Sequence, residues 1–319
     1  MKYLMFKYKW LIAIVCCACF VACEPDSVAS DQNPISFGSS RKNSSYNTEA
    51  TGINATLWGY RTYNSTTTSV FDGFDARLYE TTETESGYDL EIKSATQYWN
   101  IGTYQFYSVS PQLNNASIID NALTISNFDI SSQTDILAAV SSSINVNKLE
   151  YNTPVGLTYN HLLAKIKFQA HAKAGSCIIT EFKIQVPKTA TYSHPTNGTG
   201  AWGTKSNSTE LLFNTSTSLS TTDALIDIDG NGNIDGWLVY PSTVVANAIN
   251  YSISYKMSDD ATPITCTGTL PQLTNGGEAG NSYLYTLELM TSEIKFGNIT
   301  LVDWVNDEQA SIDISFKEN

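Results

Sequence analysis

From residue 35 onward the chain is cut into short runs of alternating apolar and polar residues. Clusters of Gly, Asn, Ser and Asp separate the runs. No helical pattern of crossover length lies between them, which argues against a parallel α/β sheet and for layered antiparallel sheets. The clearest run contains Leu163, Lys165 and Lys167 on one side and Ala164, Ile166 and Phe168 on the other, the period of a half-buried strand. Before it, strands are expected at Ile35–Gly38, Thr56–Tyr63, Val70–Glu80, Tyr88–Ile92, Tyr104–Val109 and Leu123–Ile130. Only Asp135–Ser141 (DILAAVS) reads as helical, for about two turns. After Gly175 the pattern repeats, from Cys177–Val186 to Ser311–Phe316. The fold class expected is all-β: two antiparallel β-sandwiches in tandem, over residues 35–172 and 173–319, joined at Ala172-Lys173-Ala174-Gly175.

Composition narrows the partners. Lys and Arg number 18 against 31 Asp and Glu, a net charge of −13, and only 15% of residues are charged. Phosphate binding needs clustered cations, so nucleic acid is not expected as a partner. Three His leave little material for His-based catalysis. Lys2, Lys7 and Lys9 precede an apolar run from Trp10 to Ala22, too short for the ~20 residues of a membrane span but suited to a secretion signal. The run ends Phe20-Val21-Ala22-Cys23, which resembles a bacterial lipobox with Phe20 in place of the usual Leu. The resemblance implies that residues 1–22 are a signal peptide, that Cys23 is lipidated, and that residues 23–34 are a tether into outer-membrane lipid. The acidic Glu24-Pro25-Asp26 that follows resembles the surface-export signal of Bacteroidales lipoproteins. Beyond the signal and anchor only Cys177 and Cys266 remain, either bonded or buried as two thiols.

One segment carries metal-ligand spacing. Asp227, Asp229, Asn231 and Asp235 occupy positions 1, 3, 5 and 9 of a calcium loop, with Gly232 at position 6. Position 12 is Leu238, where a bidentate Glu belongs, so a hairpin turn built on Asp, Asn and Gly is the favoured reading over a Ca2+ cofactor. His161 is expected to be packed and hydrogen-bonded, and His171 and His194 exposed. Trp58, Trp99, Trp202, Trp237 and Trp304 suit sandwich cores better than a sugar platform. No G-x-S-x-G, H-E-x-x-H or P-loop occurs, and no enzymatic activity is expected.

Several segments, in order, resemble the fimbrillin family of type V pilins. They are Ile35-Ser36-Phe37 with Arg41-Lys42 soon after, Tyr98-Trp99-Asn100 with Gly102, Tyr104, Phe106, Tyr107 and Pro111, and Asp135-Ile136-Leu137 with Ala139. Leu157-x-Tyr159-x-His161-Leu162-Leu163-Ala164-Lys165-Ile166-x-Phe168 follows, and Tyr283-x-Tyr285-x-Leu287 with Asp303-Trp304 closes the series. Asn100 stands where the family has Pro. The resemblance implies two transthyretin-like sandwiches in a surface-exposed outer-membrane lipoprotein of a fimbrium, partnered by other fimbrial subunits and, in adhesion, by a host glycan or protein. It also implies proteolytic processing at Arg41 or Lys42, which removes the Ile35–Gly38 strand. A donor strand from another subunit then fills the groove. In this chain the donor would be the tail, where Ile312, Ile314 and Phe316 alternate with Ser311, Asp313 and Ser315. The alternative is a monomeric surface lipoprotein that binds glycans through exposed aromatics.

Overall fold

The computed structural model describes residues 32–38, 53–81, 87–93, 96–173, 175–213, 217–219, 225–228, 230–231, 234–241, 249–257, 261–272, 277–302 and 304. Most of the described residues are strand. The first sheet holds β1 (Ile53–Tyr63), β2 (Thr66–Thr81), β3 (Gly87–Ile92) and β4 (Gly102–Ser110). The chain then leaves it for β5 (Ala116–Ile119) and β6 (Ala122–Asp129), and returns with β7 (Leu137–Val140), β8 (Ile144–Val146) and β9 (Asn160–His161). The sheet order is β3-β2-β1-β4-β7-β9, with β8 also on β4. Asn64 and Ser65 supply the two positive φ angles of a tight hairpin between β1 and β2, as Asp120 and Asn121 do between β5 and β6.

After β10 (Ala164–Ala172) comes β11 (Cys177–Pro195), the longest strand and the hub of the second sheet. It pairs with β12 (Ala201–Trp202), β13 (Ser206–Phe213) and β14 (Thr217–Leu219). Next come β15 (Ile226–Asp227), the small hairpin β16 (Gly230–Asn231) and β17 (Ile234–Asp235), then β18 (Trp237–Val239), β19 (Asn250–Lys256) and β20 (Ile264–Thr269). The last described strands are β21 (Ser282–Leu289), β22 (Ile294–Phe296) and β23 (Thr300–Val302). The second sheet runs β20-β19-β11-β6-β5, and the third runs β15-β10-β21-β22 with β18 also on β10 and β23 also on β21.

Among the described residues all ladders are antiparallel except β10 with β21, which run parallel from Lys165 opposite Ser282 to Ala172 opposite Leu289. A parallel pair needs no crossover helix here, because the strands between them in sequence largely build the opposite sheet. A second departure concerns Asp135–Ser141, which is not helical. Leu137–Val140 pairs with Tyr107–Ser110 as β7. Two turns of helix are marginal on their own, whereas the strand places Ala138 in one core and Leu137 and Ala139 in the other.

Two cores lie on opposite faces of the first sheet. Leu57, Phe106 and Ala139 face one, while Trp58, Tyr107 and Ala138, each next in sequence, face the other. The second core also takes Leu123 and Ile125 of β6 and Ile166 and Phe168 of β10. β6 pairs with β5 and with β11, and β10 pairs with β15, β18 and β21, so ladders cross residue 172. The 163–168 run is also more buried than its alternation implies. Lys165 and Lys167 are 7% and 5% exposed, so the polar face is covered as well as the apolar one.

Cys177 and Cys266 are not bonded to each other. Cys177 is buried, and burial pushes its thiol up to about 11. Since the thiolate is the nucleophile, iodoacetamide at pH 8 should alkylate the half-buried Cys266 at least about tenfold faster than Cys177 in the folded protein. Equal rates, read by mass spectrometry, would contradict this burial.

Candidate strand-exchange site

The feature that stands out against these long ladders is Asn33–Gly38. It belongs to no named strand, yet the body of the protein closes around it. The Ile35 N–H donates to the Gln97 oxygen at 2.8 Å, and the Trp99 N–H donates to the Asn33 oxygen at 2.9 Å. On the other side the Val155 N–H donates to the Ser36 oxygen at 2.8 Å, and the Gly38 N–H donates to the Val155 oxygen at 3.3 Å. Pairing is antiparallel to Tyr98 and parallel to Val155. The segment thus lies between two neighbours and bonds to both.

Its side chains alternate as the sequence predicts. Ile35 is 5% exposed, and Phe37 packs edge-on against Phe106 and Phe71 at 5.2 and 5.9 Å. Below them Trp99, fully buried, meets Tyr104, Phe106 and Tyr151 at 4.9, 6.0 and 4.9 Å. The first core is therefore aromatic, and Ile35 and Phe37 are part of it. Taking out Asn33–Gly38 would strip partners from the backbone of Gln97, Trp99 and Val155 and open the Phe71–Phe106 surface. Each of these groups that stays buried without a new partner costs about 1–3 kcal/mol.

Other site residues named from sequence lie outside the described residues: Cys23, Arg41, Lys42, Asp229, Ile312, Ile314 and Phe316. In the calcium-like segment, the Gln169 Nε2 donates to the Asp227 Oδ1 at 2.7 Å. The backbone of Asn231 and Asp235 belongs to the β16–β17 hairpin. Gly236, with φ +92, follows, and a Cβ there would sit 2.8 Å from Lys167 Cγ and 3.1 Å from Lys165 Cγ. The loop thus ends against two lysine stems rather than against a further carboxylate. Among the described residues no three His, Cys, Asp or Glu gather as metal ligands.

The histidines divide. His161 is packed and bonded, its Nδ1 2.8 Å from Asp135 Oδ2 and its ring 4.3 Å from that of Trp304. His171 is not exposed as expected, because Glu288, paired opposite it on β21, lies 3.4 Å away. His194 is half-buried beside Tyr192 and the Gly198 oxygen, and burial lowers its pKa. Trp58, Trp99 and Trp237 are core residues, and Trp202 and Trp304 pack at the core margin.

An all-β body of antiparallel sheets, with a short N-terminal segment completing one core between two neighbouring backbones, defines a layered β-protein. The family model described as fimbrillin-like matches residues 41–304, and the chain belongs to that family. It is a fimbrial protein of the cell surface. Among solved structures, a Bacteroides uniformis protein described in terms of cell adhesion shares the fold at TM-score 0.54 and 16% identity, over 87% of this chain and 99% of that one. A Bacteroides ovatus protein described likewise gives 0.49 at 12% identity, over 81% and 89%. The fimbrial anchor protein Mfa2 of Porphyromonas gingivalis gives 0.37 at 9% identity, over 86% and 98%. No curated protein matches the sequence significantly.

Proposed function

We propose that the chain is a structural or accessory subunit of a fimbria, and that Asn33–Gly38 is the temporary occupant of a strand-acceptor groove. The observation that carries the reading is its two-sided bonding to Gln97–Trp99 and Val155 over an aromatic floor. A segment so held completes the fold and leaves an edge of unpaired groups when it departs. Cleavage at Arg41 or Lys42 cuts the chain just past it. The tail strand with Ile312, Ile314 and Phe316 has the apolar alternation to refill the groove from another subunit. Cys23 is the lipid anchor of the precursor in the outer membrane, and adhesion is the service the assembled fimbria performs. No enzymatic step is part of this reading.

N-terminal sequencing of the cell-surface form tests it. A start at Lys42 or Asn43 is expected, with polymer ladders on a gel that vanish when Arg41 and Lys42 are both changed to Ala. Ladders that survive that double change would remove processing at this site from the account.

A further inference from the structure

The floor of the groove distinguishes one place from the next. Phe37 stands edge-on to Phe71 and Phe106, two fully buried rings whose centres lie 6.2 Å apart. Those rings meet over Gly59 of β1, which lies opposite Phe71 in the β2 ladder and opposite Phe106 in the β4 ladder. A Cβ on Gly59 would sit 2.8 Å from a ring carbon of each. The groove thus has an aromatic pocket at the place of Phe37. Two residues earlier it has an aliphatic place, where Ile35 is buried. The next place on that side holds Asn33, a half-buried polar residue, and the intervening Pro34 and Ser36 are exposed.

The triplet that fills these places, Ile35-Ser36-Phe37, recurs once in the chain, as Ile314-Ser315-Phe316. Phe316 is also the one aromatic residue after Trp304. Laying the second triplet on the first puts Ile312 at the place of Asn33 and Asp313 at the exposed place of Pro34. The four hydrogen bonds of the present occupant use only backbone atoms of Asn33, Ile35, Ser36 and Gly38. None of residues 312, 314, 315 and 317 is Pro, so each carries the N–H or oxygen needed to remake them. The tail therefore matches the first segment and adds an apolar side chain where that segment has Asn. A slip of two residues, with Ile312 and Ile314 at the places of Ile35 and Phe37, leaves an aliphatic side chain in the aromatic pocket and carries Phe316 past Gly38.

We propose that the pocket formed by Gly59, Phe71 and Phe106 sets the register of the inserted strand, by taking Phe316 of a second copy so that its Ile314-Ser315-Phe316 replaces Ile35-Ser36-Phe37. The proposal rests on the strand-exchange reading above. It makes the N-terminal segment a stand-in for the tail, alike at the two places that fit the groove and weaker at the third.

Synthetic peptides spanning residues 305–319 test it, added to mature protein cut after Arg41, with capture read by native mass spectrometry. Phe316→Ala should weaken capture at least about thirtyfold, Ile314→Ala about tenfold and Ile312→Ala no more than about threefold. Only the peptide changes, so the fold of the body is the same in every arm. In cells producing the full chain, Phe316→Ala should remove polymer ladders and Ile312→Ala should keep them. A greater loss at Ile312 than at Phe316, or losses all within threefold, would overturn the register while leaving strand exchange standing. A natural peptide that is never captured would overturn both.

Discussion

Replacing Ile35 and Phe37 together with Ala should lower the stability of the uncut protein by about 4 kcal/mol, although both residues lie in a segment that forms no named strand. Ile35 is 5% exposed, and Phe37 touches two aromatic rings of the first core. Their loss leaves a cavity that the surrounding β-sheet cannot collapse to fill. The companion change Leu301→Ala, at a side chain 61% exposed, should stay within about 0.5 kcal/mol. Urea unfolding of the mature, uncut chain measures both. A small effect at Ile35 and Phe37 would mean that the segment decorates the core rather than completing it.

The second large effect is an alkaline one. Burial raises the hydroxyls of Tyr159 and Tyr285 well above the usual tyrosine value and pushes Tyr192 up to about 12. Tyr159 donates to Ser108 at 2.7 Å, and Tyr285 donates to the Pro271 oxygen at 3.3 Å, so each is held as a neutral donor. In the unfolded chain these groups lose their protons near pH 10, whereas the folded chain keeps them. The folded state then binds more protons, and stability falls as pH rises above 10. Below pH 10 their contribution is fully present. Three such tyrosines should cost about 3 kcal/mol between pH 10 and 11. Denaturation followed with the tyrosine absorbance of ionisation checks it. Stability that held flat to pH 11 would contradict the burial of these hydroxyls.

Much of this was legible from side-chain alternation and turn residues. Ile35 and Phe37 point inward as their spacing implies, and Trp99 and His161 take the packed roles expected of them. What misled was local appearance. Asp135–Ser141 carries Leu, Ala and Val in an order that suits a short helix. Its fate was decided by a distant edge, Tyr107–Ser110, and by the need for small side chains between two cores. Lys165 and Lys167 read as a solvent face, because alternation reports polarity and not what lies above it. Lys165 donates to the Trp304 oxygen at 2.9 Å, a partner 139 residues away in the chain. The parallel pairing of β10 with β21 was hidden for the same reason, since it joins strands separated by an entire sheet.

The account turns on whether the groove exchanges its occupant, and a displacement measurement asks this directly. Purified mature protein is cut after Arg41 with a trypsin-like protease and mixed with a synthetic peptide spanning residues 305–319. Native mass spectrometry should then show the fragment carrying Ile35 and Phe37 released and one peptide bound in its place. If that fragment stays on the body and the peptide remains free at every concentration tried, the groove is a closed core and the exchange mechanism is wrong.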